Sequence, residues 1–392
     1  MAATLGIGMV GYAFMGAAHS QAWRNAHRFF DLPLTPRLAV LGGRSLPAAQ
    51  AAADRLGWAD VETDWRALVV RDDVDLVDIC SPGDTHAAIA IAALEAGKHV
   101  LCEKPLANTV AEAEAMAAAA AARPELVAMT GFTYRRVPAV QLARSYVADG
   151  RIGAVRHVRA QYLQDWLADP RAPWVWRLDR GLAGSGALGD IGAHIVDMAQ
   201  FVTGEAVAGV SAVLETFVHE RPLAGAVHGL AATPAPGEAT APVTVDDATA
   251  FVARLSGGAM AVFEATRFAW GRRNQLRLEI NGERGSLLFD LEDLNALWFF
   301  DATEPATAAG YRRIDVTQPD HPYAGWWPPG HALGYEHPFT HQVVDLVRGI
   351  AAGTHPAPTF ADGLQVQRVL AAVERSAADE SRWTPVEGIL AA

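Results

Sequence analysis

Leu5-Gly6-Ile7-Gly8-Met9-Val10-Gly11-Tyr12-Ala13-Phe14-Met15-Gly16 decides the fold of this chain. An apolar run ends in glycine, and a helical pattern begins near Met15. Gly11, Ala13 and Gly16 occupy the three small positions of G-x-G-x-x-G, with alanine at the second. The first glycine permits a tight turn, the second lets backbone approach a pyrophosphate, and the third lets helix and strand pack closely. Helix N-terminal N–H groups then hold phosphate charge. Glycines also close ordinary turns. The strand before, the helix after and the alternation that follows select the dinucleotide reading. Gly11, Tyr12, Ala13, Phe14 and Met15 are the cofactor-binding residues it nominates.

The alternation continues outward. Strands are expected at Arg37–Leu41, Leu76–Cys80, His99–Cys102 and Leu126–Met129, with helices at Pro47–Leu56, His86–Ala96 and Ala111–Ala122. Short apolar strands alternating with helices predict a parallel sheet with right-handed crossovers. Residues 1–131 form this α/β Rossmann domain. Residues 132–392 are expected to form an α+β substrate and oligomerisation domain on a large, mostly antiparallel open sheet, with its C-terminal helices free to pack back on the first domain. Its strands are expected at 155–166, 209–217, 248–255, 259–267, 275–281, 286–290 and 296–300, with Asn281-Gly282 as a hairpin turn. Helices are expected at 190–202, 339–352 and 361–378. Pro222 to Pro242, rich in Ala, Gly and Pro, reads as a surface loop.

Composition narrows the function. With 51% hydrophobic and 19% charged residues, a large core is available and disorder is not expected. The balance of 32 basic against 44 acidic residues gives −12, and no basic cluster offers a nucleic-acid or anionic-membrane surface. Cys80 and Cys102 lack metal-ligand spacing and read as reduced core thiols, so no metal is expected. No basic-then-apolar leader precedes the first strand, and no run is long enough to span a membrane; a cytoplasmic location is expected.

Cofactor choice turns on the end of the second strand, where an acid commonly bonds the ribose 2′-hydroxyl of NAD. Here stand Gly43-Arg44-Ser45, with no acid. Arg44 and Ser45 would receive a 2′-phosphate, which tilts NAD(P)(H) binding toward NADP. With Arg44 stacked on adenine instead, NAD binds as well.

Further motifs follow in order: Ser81-Pro82-Gly83-Asp84-Thr85-His86, Glu103-Lys104-Pro105, Trp176-Arg177, and Gly189-Asp190-Ile191-Gly192-Ala193-His194. With the glycine turn they resemble the glucose-fructose oxidoreductase, inositol dehydrogenase and rhizopine-catabolism family, Gfo/Idh/MocA, over essentially the whole chain. The pattern is nearest its sugar-oxidising branch, similar to levoglucosan dehydrogenase, and its inositol dehydrogenases. The resemblance implies an NAD(P)-dependent oxidoreductase moving hydride between nicotinamide and a secondary carbon of a sugar, anhydrosugar or cyclitol, assembled as a homodimer or homotetramer. It implies cofactor contacts at Ser81, Pro82, His86, Glu103 and Lys104. Ala13, the absent acid, and Thr133 where Asn is common depart from the family pattern; the last touches substrate contacts.

Alcohol oxidation needs a base, a cation beside the developing alkoxide, and a hydride acceptor. Asp190 and His194, at i and i+4, are expected on one helix face, with His194 as base and Asp190 orienting it or gripping a hydroxyl. Lys104, at a parallel strand's carboxyl end, is the cation, aimed by a cis Pro105. The plain alternatives are a surface lysine, a helix-capping Asp190 and a core histidine. His86 reads as a structural or nicotinamide-side contact. Tyr134, Gln164, Asp165, Trp166 and Arg177 join Lys104, Asp190 and His194 as substrate contacts, because aromatic and polar groups together suit a sugar. The aromatic loop 321–331 is a further candidate, and its tryptophans fit a core or an interface equally. Competing functions are the reverse ketosugar reduction, a redox-cycling lyase or hydrolase, and a nucleotide sensor without turnover.

Overall fold

The computed structural model describes residues 3–228, 231–234, 239–323 and 326–388. It divides into two compact units, the first of residues 1–133 with 335–367, the second of 134–334 with 368–392.

In the first unit, six parallel strands form one sheet: β1 (Ala3–Val10), β2 (Leu34–Gly42), β3 (Asp60–Glu62), β4 (Leu76–Ile79), β5 (His99–Cys102) and β6 (Ala128–Thr130). Their order is β3-β2-β1-β4-β5-β6. The order reverses direction between β1 and β4, and the carboxyl ends at such a switch point are where doubly wound sheets bind ligands. Met9, Ile7, Val77, Ile79 and Val100 are fully buried, as continuous apolar runs in a twice-covered sheet should be. The helix Phe14–Phe29, α1, packs Ala22, Trp23 and Ala26 into one core layer.

The segmentation differs from a single cut after Gly131. The helix His337–Ala352 belongs to the first unit because Phe339, Val343, Val344, Leu346 and Val347 complete the core layer that holds Trp23. Thr133 is buried there, its hydroxyl donating to Gln342 Oε1 at 3.1 Å.

The second unit is built on nine strands: β7 (Val155–Leu163), β8 (Val207–Glu215), then, after four short strands β9 (Glu220–Pro222), β10 (Ala224–His228), β11 (Ala231–Pro234) and β12 (Thr240–Pro242), the strands β13 (Ala248–Leu255), β14 (Met260–Thr266), β15 (Gln275–Gly282), β16 (Gly285–Asp290), β17 (Ala296–Asp301), β18 (Arg312–Asp315) and β19 (Thr384–Pro385). The sheet order is β18-β17-β16-β15-β7-β14-β13-β8-β19, antiparallel except for the β7–β14 pair. One face is closed by Phe251 and Phe263, whose rings stack 4.7 Å apart. The other exposes Val213, Val252, Met260 and Val262.

Two local expectations change. The hairpin turn lies at Glu283-Arg284, because Asn281 still pairs with Ser286 and Gly282 with Val155. The 222–242 stretch is not plain loop: its described residues form two small antiparallel pairs, β9 with β12 and β10 with β11.

Candidate active site

The nucleotide turn has the geometry that its glycines require. Gly11 has φ +100°, and a side chain there would meet the Cys80 carbonyl at 2.7 Å. A side chain on Gly16 would stand 2.2 Å from the Gly11 oxygen. Ala13 is the N-cap of α1, in extended conformation at φ −72°, so its methyl strains nothing. The Tyr12 ring fills the space beside Gly43, and Arg44 and Ser45 are exposed at the end of β2. Phe14 and Met15 open the helix, whose first N–H groups have no intrahelical acceptor. This cradle fits a dinucleotide.

Around the carboxyl ends of β4 and β5 lies a buried ion network that sequence reasoning missed. His19 Nδ1 is 3.0 Å from both Asp78 carboxylate oxygens, and its Nε2 is 3.0 Å from Glu103 Oε1. Trp23 Nε1 donates to Asp78 Oδ2 at 2.7 Å. Glu103 Oε2 accepts from the Lys104 backbone N–H at 3.2 Å, so the network ends on the lysine's own peptide. Burial pushes the His19 imidazole down, but Asp78 and the neighbouring Cys80 together outweigh it and hold the group well above its ordinary value. Donor atoms of His19, Asp78 and Cys80 lie within 4.8 Å of one another. They do not suit a cation: the ring nitrogens face carboxylates, and burial pushes the Cys80 thiol far up, keeping it protonated. Both cysteines are free thiols.

The Lys104–Pro105 peptide is cis. The His86 ring nitrogens lie 2.9 Å from the Ser81 carbonyl and 3.1 Å from the Pro105 carbonyl, tying the Ser81-Pro82 turn to the chain just beyond Lys104.

In the second unit, Asp190 and His194 do not share one regular α-helix. Asp190 lies in a widened π turn, Leu188–Gly192, which runs into the helix Ala193–Thr203. Such single π turns often mark functional sites. Asp190 does not cap a helix. Asp246 takes that part, accepting from the Gly186 and Leu188 N–H groups at 2.7 Å each. The His194 ring lies 4.6 Å from the Tyr134 ring and 5.9 Å from that of Tyr162. The two phenols hydrogen-bond each other at 2.8 Å, and Tyr162 donates to Asn274 Oδ1 at 2.8 Å.

Gln164 joins this cluster, its Nε2 donating to Asn274 Oδ1 at 2.8 Å and its Oε1 accepting from Trp166 Nε1 at 3.0 Å. Asp165 is buried and holds the loop between β14 and β15, accepting from the Gly271 N–H and pairing with Arg273, both at 3.1 Å. Arg177 lies over the Trp176 ring at 4.5 Å. In the 321–331 loop, Trp326 is buried and Trp327 exposed, while Ala324 and Gly325 lie outside the described residues. Asn274 was invisible in the sequence because a lone loop asparagine carries no spacing signal. Asp246 and Arg267 were missed because the strand pattern marks only their apolar neighbours.

Among the described residues no helix is long and apolar enough to cross a membrane. Residues 5–131 match the oxidoreductase family with an NAD-binding Rossmann fold, and residues 140–288 match the GFO/IDH/MocA C-terminal domain. The chain is 42% identical to levoglucosan dehydrogenase of Pseudarthrobacter phenanthrenivorans, over 99% of each chain. Its fold superposes on an oxidoreductase domain protein from Kribbella flavida with TM-score 0.93 and 66% identity, covering 98% of this chain and 99% of that one. It also superposes on levoglucosan dehydrogenase in complex with NADH and levoglucosan, with TM-score 0.92 and 41% identity, covering 98% and 100%. The chain belongs to the GFO/IDH/MocA family of NAD-binding oxidoreductases.

Proposed function

We propose that this enzyme oxidises a secondary hydroxyl of a sugar, anhydrosugar or cyclitol, with Lys104, Asp190 and His194 as the catalytic residues. The observation that carries the reading is the setting of His194, an imidazole beside two mutually bonded tyrosines and four residues after a partly exposed carboxylate. Support for the substrate class comes from the anhydrosugar bound by a relative that matches along the whole chain.

The bound nicotinamide supplies a hydride acceptor. His194 takes the hydroxyl proton as the hydrogen on the same carbon leaves with the C–H bonding electrons, leaving a carbonyl, and passes that proton to solvent. Lys104 holds the oxygen on which negative charge develops. Asp190 stabilises the resulting imidazolium or fixes a neighbouring hydroxyl. Tyr134, Gln164 and Trp166 offer the mixture of ring face and polar groups that a sugar needs. The reverse reaction, reduction of a ketosugar, uses the same groups.

Gly11 to Met15, Ser81, Pro82, Glu103 and Lys104 are the proposed cofactor contacts, with Arg44 and Ser45 taking a 2′-phosphate so that NADP binds at least as well as NAD. The exposed apolar stripe of the large sheet pairs with a second copy. The reading places the chain in the cytoplasm, consistent with two unpaired thiols. A panel of levoglucosan, inositols, hexoses and glycosides, assayed with NAD⁺ and NADP⁺ by absorbance, tests it. At least one member should reduce the cofactor; binding without turnover on every member would favour a nucleotide sensor.

A further inference from the structure

Four ionisable side chains are buried together in the second unit: Arg221, Asp246, Asp247 and Arg267. Three of them serve backbone. Arg221 donates to the carbonyls of Leu167, Asp169 and Ala172 at 2.6, 2.8 and 3.2 Å. Asp247 accepts from the Phe217 and Val218 N–H groups at 2.8 and 3.1 Å. Asp246 accepts from the Gly186 and Leu188 N–H groups that open the Asp190 turn.

Arg267 leaves the most unspent: among the described residues, Arg221 lacks a partner only at Nε and Asp247 only at Oδ1. The Arg267 side chain is 0% exposed, yet only Nη2 finds an acceptor, the Asp246 carbonyl at 3.0 Å. Nε and Nη1 reach no hydrogen-bond acceptor among the described residues. Nη1 faces Asp190 Oδ2 at 3.7 Å, and the Asp190 side chain is 24% exposed. Trp166 covers the guanidinium, its ring centre 5.6 Å from Cζ. Gly186 leaves room for it: a side chain there would come within 2.9 Å of Nη2.

Burying a guanidinium with donors unspent costs stability, and an apolar residue of similar length would fill the space without that cost. An arginine here is explained by what it faces. Arginine keeps its charge at any working pH, and in a dry setting its field on a neighbouring carboxylate is barely screened by water or salt. Arg267 thus backs the Asp190 carboxylate, whose side chain is partly exposed.

We propose that Arg267 is a positioning residue for Asp190: a fixed buried cation that attracts this carboxylate and holds it turned so that it can accept from substrate or from the imidazolium. The proposal rests on the assignment of Asp190 to the catalytic set. It does not place Arg267 in contact with substrate, because Trp166 and the strand backbone enclose it.

The test is a double-variant cycle on the full-length enzyme, using the best-oxidised sugar of the panel named above. Arg267→Gln removes the charge while keeping a donor for the Asp246 carbonyl, Arg267→Met removes both, and Arg267→Lys restores charge. Each is made alone and with Asp190→Asn. Melting temperature and NADH binding by fluorescence report folding and cofactor affinity. Arg267→Gln should lower kcat roughly tenfold with NADH affinity unchanged, Arg267→Lys should recover most of that loss, and Arg267→Gln on top of Asp190→Asn should cost less than about twofold more, since removing one partner already removes the interaction. Should Arg267→Met fail to fold, Arg267→Gln carries the comparison. Full additivity of the two losses, or no rescue by lysine, overturns the proposal and leaves Arg267 a scaffold for Asp246. Wild-type kcat and kcat/KM in Asp190→Asn would instead overturn the catalytic assignment itself, and the Arg267 role with it.

Discussion

His19 Nε2 stands 3.0 Å from Glu103 Oε1, and Glu103 is the residue directly before Lys104. The opposite ring nitrogen faces Asp78, so one imidazolium joins the second turn of α1 to the ends of β4 and β5. Its folded-state pKa is raised above the ordinary value of about 6.5. The sign follows from proton counting. Below about pH 6.5 the ring is charged folded or unfolded, and its stabilisation is fully present. As pH rises, the unfolded state gives up the proton first, so stability falls until the folded pKa is passed. The melting-temperature advantage of wild type over His19→Gln should therefore be largest in mild acid and shrink steadily toward alkaline pH. A constant difference across pH would mean that the ring is neutral and merely packed.

His194→Ala should keep cofactor affinity and lose about 10²-fold or more in kcat. Lys104→Met should lose a similar factor and raise KM, because the ammonium also bonds the ground-state hydroxyl. Asp190→Asn should fall less than His194→Ala if the carboxylate only orients the ring, and comparably if it also grips substrate. Steady-state kinetics against pH give the check: oxidation should weaken below an apparent pKa that vanishes in His194→Ala. An unchanged profile and near-normal kcat in that variant would move the base elsewhere.

Arg44 is exposed at the end of β2, and the second strand ends without an acid. Titration calorimetry should find NADP⁺ bound at least as well as NAD⁺, and Arg44→Ala should weaken NADP⁺ more. NAD⁺ binding more than about tenfold tighter, roughly 1.4 kcal/mol, would refute the charge argument.

Val252 lies opposite Val262 across the β13–β14 pair, and both are exposed with Met260 and Val213 on the same sheet. An apolar stripe of this kind on a sheet seeks cover. Sedimentation at micromolar concentration should show a homodimer or homotetramer, and Val252→Lys with Val262→Glu should shift it toward monomer. A monomeric wild type would contradict the pairing.

Five of the six strands of the first sheet were legible, since a glycine turn, short apolar runs and alternating helices mark a parallel sheet; the three-residue strand Asp60–Glu62 is too short to show a pattern. Lys104 and His194 were nominated by their motifs and stand as the proposed cation and base. What escaped was how polar residues are spent. Asp165 was nominated as a sugar contact, and its carboxylate also holds the Gly271–Arg273 loop. Asp190 looked like part of a regular helix and sits in a π turn. His19 lies within an amphipathic helix and Arg267 just after a strand, and their partners Glu103 and Asp190 are distant in sequence. Local periodicity shows that a position is buried; it does not show which charge meets it there.

The central claim is hydride transfer from a sugar carbon, and isotope transfer tests it most directly. Levoglucosan or myo-inositol carrying deuterium on every ring carbon is incubated with enzyme and oxidised cofactor, and the cofactor is analysed by NMR. One deuterium should appear at nicotinamide C4 for each ketone formed, with Lys104→Met and His194→Ala forming both far more slowly. Sugar converted with loss of a leaving group and no net reduced cofactor, or reduced cofactor carrying only solvent hydrogen at C4, would contradict the account.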